Sequence, residues 1–219
     1  MRDNFERQLE ELDFELRQMG SLCEDGIAIA AKALKERDKE LAKKVAPIAS
    51  ALDRKERDVE DLCLRLLLRQ QPVAGDLRQI SAALKMVTDM ERIGDQAEDI
   101  ADILQSLTGD VNCDAEQISE MARGTILMVT ESVEAYVSQD KALAQQVIDY
   151  DDKIDALFLG LKTSLMDLIA KEPGKGAEAL DILMIGKYFE RIADHATNIA
   201  EWVIFSITGQ HKSQELEKA

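Results

Sequence analysis

Residues 90–103 read MERIGDQAEDIADI, and the chain returns to nearly the same text at 189–202, FERIADHATNIAEW, with seven of fourteen columns identical. A second match, RDKELAKKV at 37–45 against QDKALAQQV at 139–147, is offset by 102 rather than 99, so the second copy is about three residues shorter in between. A repeat of this length is a whole supersecondary unit used twice. Whatever the first half folds into, the second half must fold into as well.

The unit is helical. Apolar residues recur at helical spacing almost end to end, only three prolines interrupt 219 residues, and aromatics amount to 4%. Strand-forming clusters are missing. The first helix is expected from about Asp3 to Lys35, with Asp3 or Asn4 as N-cap. After a charged turn at Glu36-Arg37-Asp38, a second helix runs to about Arg69. QQPVAGD at 70–76 breaks it, because Pro72 cannot continue a helix. A third helix follows to about Leu107 and is ended by Thr108-Gly109. The second half repeats the plan: a fourth helix from Asp114 to Ser138, a fifth from Asp140 to Ala170, a break at KEPGKG (171–176), a sixth from Ala177 to Thr208, then a charged tail. Short connections make sequential helices antiparallel. The expected fold is all-α: two tandem antiparallel three-helix bundles, six long helices in all, with 1–109 as the first unit and 110–219 as the second.

Charge narrows the partners. Carboxylates outnumber Lys and Arg 43 to 27, giving a net charge of −16. Phosphate backbones are bound by clustered bases, so nucleic acid is excluded. The most apolar stretch, LCLRLLL at 62–68, is too short to span a bilayer and contains Arg65. The opening MRDNFERQLEEL does not read as a signal peptide. Cys23, Cys63 and Cys113 are far apart and in no CxxC arrangement, as expected for reduced, buried thiols. A cytoplasmic protein follows, with membrane association only through partners.

The duplicated segment carries an acidic stripe. At about 100° per residue, Glu91, Asp95, Asp99 and Asp102 share one face of the third helix, while Met86, Met90, Ile93, Ala97, Ile100 and Leu104 line the opposite one. On the sixth helix Glu190, Asp194, Asn198 and Glu201 form the matching stripe against Phe189, Ile192, Ala196, Ile199 and Val203. Like charges four apart destabilise a helix by about 0.2–0.5 kcal/mol per pair. Between Asp89 and Leu104 there are six acids and one base, Arg92. The fifth helix adds Asp151 and Asp155, again one turn apart. Either the stripe is a solvated acidic face, or it holds hard cations, which prefer several carboxylate oxygens. Arg92 and Arg191 are expected to pair with neighbouring carboxylates, and His195 to sit on the surface at the flank of the stripe. His211 lies in the tail. No Glu-x-x-His di-metal motif, Walker loop or nucleophile elbow is present.

Taken together, ERIGDQAEDIA and ERIADHATNIA, the QQPVAGDLR break and the RDKELA and QDKALA helix starts resemble PhoU, the family of bacterial phosphate-transport accessory and regulatory proteins, from about Phe5 to Gly209. The resemblance implies an all-α, commonly dimeric protein without enzymatic activity. It implies a negative regulator that couples the high-affinity phosphate ABC transporter, through its ATPase, to the phosphate-sensing histidine kinase. Some members carry iron or zinc clusters on Glu/Asp-x-x-x-Asp motifs. Magnesium or manganese would suit the same ligands. Carried over, the metal-binding set is Glu91 and Asp95 with Asp53 and Asp99 in the first repeat, and Asp151, Asp155, Glu190 and Asp194 in the second. The pattern is broken at Ala49, where the second repeat has Asp151, and at Asn198, where the first has Asp99. The first site is therefore expected to be the weaker. Two other readings remain: a carboxylate-bridged metalloenzyme with His195 as its acid–base group, and a packing scaffold that binds no metal.

Overall fold

The computed structural model describes residues 2–70, 72–107 and 115–210. Six long helices account for nearly all of it: α1 (Arg2–Glu36), α3 (Val45–Gln70), α4 (Ala74–Ser106), α5 (Ala115–Ser138), α6 (Lys141–Lys171) and α7 (Gly176–Thr208). The described residues also include a short helix, α2 (Lys39–Ala42), and one 3-10 turn, Pro173–Lys175. The expected ends at Thr108-Gly109 and the start at Asp114, like Cys113 and His211, lie outside the described residues. Helix α1 begins at Arg2, ahead of Asp3 and Asn4, so neither is its N-cap.

The duplication is visible in the turns. Asp38 and its equivalent Asp140 each cap a helix start, accepting hydrogen bonds from Glu40 and Leu41 (3.0 and 2.9 Å) and from Ala142 and Leu143 (2.8 and 3.1 Å). Each cap satisfies two amides that the first turn leaves without carbonyl partners. The residue before each cap, Arg37 or Gln139, takes the left-handed conformation (φ 52° and 53°) that ends the preceding helix.

One expectation fails between these points. The second helix is not continuous from the turn to Arg69; it stops at Ala42 and restarts at Val45. Pro47 is the cause, since its ring has no N–H and clashes with a helical carbonyl four residues back, at Lys43. The second repeat has Asp149 there, and α6 runs unbroken.

Within each half the helices pack as expected, α3 on α1 and α4, and α6 on α5 and α7. The halves are not beads on a linker. Helix α4 packs most extensively against α7, and α1 against α5, so the buried residues form one continuous core. Both pairings are antiparallel, as Arg17–Glu134 and Glu24–Thr130 show for α1 and α5, and Arg78–Ser206 and Asp89–His195 for α4 and α7. The apolar faces read from sequence supply the centre: Met86, Met90, Ile93 and Ile100 of α4, and Phe189, Ile192, Ile199 and Val203 of α7, are fully buried. Each such side chain contributes about 1.5–3 kcal/mol relative to exposure. Cys23 and Cys63 are buried, free thiols. No helix among the described residues is long and apolar enough to cross a membrane. The core therefore fixes α4 and α7 back to back, and leaves each one's acidic side facing outward beside α3 or α6.

Candidate functional site

The first site forms where α3 crosses α4. A methyl group at Gly94 would lie 2.5 Å from Leu52 Cδ1 and 3.6 Å from the Cα of Ala49, so the glycine permits a close helix approach. Asp53, Glu56 and Glu91 then each offer a carboxylate oxygen, all within 4.8 Å of one another. Among the described residues this is the one group of three potential ligands so close together. Burial, reinforced by Asp95, Glu56 and Asp53 and opposed by Arg92, pushes the Glu91 carboxyl above its ordinary value. Burial also raises Glu56, with Glu60 and Asp53 adding to the effect and Thr88 and Arg57 opposing it. Neutralisation is partial: Arg57 bonds Asp53 at 2.7 Å, in an exposed pair, and neither Glu91 nor Asp95 has an ion pair among the described residues. An exposed pair of this kind contributes at most about 1 kcal/mol.

Glu56 was not singled out by the sequence, although it stands one turn after Asp53. Asp95 is exposed, one turn beyond Glu91. Asp99 departs from this group. Burial and then Asp95 and Asp102 raise its carboxyl, and Arg191 and a bond from Tyr188 hold it down, so it faces the α4–α7 seam.

The second site has the same backbone and different chemistry. Burial first, then Asp194 and Asp155, push Asp151 up to about 6. The nearby Thr197 hydroxyl offsets this only in part. Asp194 is raised by burial and Asp155, with Lys187, His195 and Arg191 opposing. Lys187 forms an ion pair with Glu190 and lies over the Phe158 ring, 5.6 Å from its centroid. By the offsets of the repeat, Lys187 stands where the first half has Thr88, and Phe158 where it has Glu56. The second site thus carries an internal cation and an aromatic ring where the first carries a third carboxylate. The three carboxylates that lie closest together among the described residues are thus in the first repeat, where Ala49 stands beside Gly94 and the helices approach closely.

Two further expectations are corrected. Neither Arg92 nor Arg191 makes an ion pair among the described residues; both act on the carboxylates at longer range. His195 is not on the surface. It is 8% exposed, and its Nδ1 lies 2.8 Å from Asp89 Oδ1 across the seam.

Two three-helix units in tandem are the architecture the sequence motifs implied. The model of the PhoU domain matches twice, at residues 16–104 and 118–203. The chain belongs to the PhoU family. A phosphate-specific transport system accessory protein PhoU homolog from Clostridium acetobutylicum is 36% identical over 208 residues, covering 94% of this chain and 95% of that protein. The crystal structure of PhoU from Pseudomonas aeruginosa superposes with a TM-score of 0.89 at 33% identity, covering 94% of this chain and all of the other. The phosphate transport system regulatory protein PhoU from Streptococcus pneumoniae does so at 0.86 and 26% identity, covering 94% of this chain and 98% of that one. The all-α fold of two tandem bundles is that of PhoU. The family's proteins are named for accessory and regulatory roles, not for catalysis.

Proposed function

We propose that the chain is a non-enzymatic, cytoplasmic regulator of phosphate uptake that represses phosphate-starvation genes when phosphate is plentiful. It does so by coupling the high-affinity phosphate ABC transporter, through its ATPase, to the sensor histidine kinase, and it works as a homodimer. Family membership and the accessory and regulatory names of its relatives support the phosphate role. The observation that carries the mechanism is the Asp53–Glu56–Glu91 cluster, held together by packing, in which Asp53 alone has an ion pair among the described residues.

Such a cluster attracts positive charge from outside. Metal ions are one source, and Asp53, Glu56, Glu91 and Asp95 would hold the first, with Asp151, Asp155, Glu190 and Asp194 the second. Oxygen-only donors suit magnesium, manganese or ferric iron better than zinc, which favours imidazole and thiolate. Basic surfaces of the transporter and kinase are the other source, and complementary charge would set association rate and partner choice. A hydrolytic or redox role would need an acid–base group at the cluster; His195 is taken up by Asp89 instead.

The test is Glu91→Gln, Asp95→Asn, Glu190→Gln and Asp194→Asn combined, expressed in a strain lacking the wild-type protein. With phosphate abundant, a starvation-gene reporter should be switched on. Normal repression by a stably expressed variant would overturn the reading.

A further inference from the structure

Single hydrophobic residues scattered over a surface are ordinary, whereas rows of them mark contact sites. Here ten large hydrophobics stand most open to solvent among the described residues, and eight of them lie on the α3–α4 and α6–α7 hairpins. On the first hairpin Leu64 and Leu68 stand one turn apart on α3, and Val73 and Leu77 one turn apart at the start of α4; Leu68 is 82% exposed. On the second, Leu159 and Met166 are open on α6, and Leu180 and Met184 on α7.

On α3 and α6 the rows keep the same register to equivalent carboxylates: Leu64 follows Asp53 by eleven residues, and Met166 follows Asp155 by eleven. On α4 and α7 an exposed leucine also precedes a carboxylate by fourteen, Leu77 before Glu91 and Leu180 before Asp194, although these two acids are not equivalent in the repeat. Eleven and fourteen residues return to within about 20–40° of the same direction, roughly 16–21 Å further along the helix. Each hairpin therefore presents an apolar row toward its tip and a negative cluster about two to four turns away.

We propose that each hairpin face binds a basic amphipathic helix of a protein partner, its apolar side on the leucine or leucine–methionine row and its cationic end over the carboxylates. Helix-in-surface recognition uses apolar anchors at i, i+3, i+4 and i+7, which these rows match in length. Charge selects this occupant over two others. An anionic bilayer would be repelled by the carboxylates beside the row. A second copy of the chain would bring its own negative cluster to the same face. Of the faces' own bases, Arg57 and Lys187 are bonded to Asp53 and Glu190. The inference rests on the regulatory reading and specifies the segment through which a partner is held.

The test uses the full-length protein and a dye-labelled eighteen-residue peptide of leucine and lysine, with leucines along one side and lysines concentrated at one end, against a scrambled peptide of the same composition. Fluorescence anisotropy should show saturable binding with two equivalents per chain, and the scrambled peptide about tenfold weaker or worse. Combined Leu64→Ser, Leu68→Ser and Leu77→Ser should remove one equivalent; adding Met166→Ser and Leu180→Ser should remove the other. Leu68→Glu alone, at the most exposed of these positions, keeps the test open if the multiple variants do not fold. Equal binding of both peptides, or unchanged binding by the serine variants, would overturn the inference. So would a dimer that the serine variants lose and the peptide cannot displace, since the face would then belong to a second copy. If the serine variants bind peptide and repress normally while the carboxylate variants derepress, this inference falls and the regulatory reading stands.

Discussion

Asp89 on α4 and His195 on α7 are joined across the seam between the two repeats, 2.8 Å apart and each 8% exposed, with Asn198 Nδ2 donating to the same Asp89 oxygen at 3.3 Å. Under the 99-residue offset, Asp89 corresponds to Tyr188 and Asn198 to Asp99. Tyr188 and Asp99 also meet across the seam. The antiparallel α4–α7 pair therefore crosses twice in equivalent places with different chemistry. Truncating one partner leaves a buried polar group, which is worse than removing both. His195→Ala should lower stability by about 2–3 kcal/mol. In urea titrations, the double variant with Asp89→Ala should cost at least about 1 kcal/mol less than the sum of the single changes. Additive losses would mean that the pair does not hold the seam.

Gln96 occupies the position equivalent to His195, yet its amide has found no such partner. It is 6% exposed, and its Oε1 makes no hydrogen bond. A buried unsatisfied oxygen costs about 1–3 kcal/mol, and methionine has nearly the same shape. Gln96→Met should therefore raise the melting temperature, by an amount corresponding to roughly 1 kcal/mol. A lower melting temperature would show that the amide contributes something its contacts do not reveal.

The first site depends on Gly94. Valine there would drive branched carbons into Leu52, already 2.5 Å from where a Cβ would stand. Overpacking of this kind costs about 1–3 kcal/mol and separates helices. Gly94→Val should lower stability by that much, and it should also part the Asp53 and Glu91 carboxylates. A crystal structure of the variant with those distances unchanged would show that the glycine is not what brings α3 in.

Asp13 on α1 is pushed up to about 6, mainly by burial, with Glu10 adding and Arg17 opposing, and its Oδ1 is buried without a partner. Between the unfolded value of 3.8 and about 6 the folded chain holds a proton that the unfolded chain has released. Stability from this group is therefore highest at low pH and falls as pH rises through that window. Asp13→Asn removes the charge. Its melting temperature should exceed that of wild type at pH 8, and the gain should shrink toward zero near pH 4. A gain independent of pH would locate the effect elsewhere.

Much of the fold was legible because helices of some thirty residues average out local exceptions, and because the repeat reports each boundary twice. The core faces of α4 and α7 followed from period alone. What escaped depended on neighbours. A helical wheel places His195 on the flank of the acidic stripe but does not say that α4 lies there with Asp89 waiting. It likewise gives Glu56 no reason to matter until α3 closes on Gly94. The break before Val45 follows from Pro47, whose ring acts four residues upstream.

The divergence of the two carboxylate sites yields a test of the cation reading itself. Glu56 belongs to the tightest cluster of the first repeat, while Lys187 neutralises Glu190 in the second. A divalent cation should find three convergent carboxylates on one side and a competing ammonium on the other. Calorimetric titration with manganese should resolve one stronger and one weaker event per chain. Glu56→Gln should selectively weaken the stronger event, by about tenfold for one lost carboxylate, that is roughly 1.4 kcal/mol. Lys187→Met removes the built-in cation and should strengthen the weaker one. If both substitutions shift the same event, or if manganese gives no saturable heat, the two hairpins do not act as separate cation sites, and their charge serves partners alone.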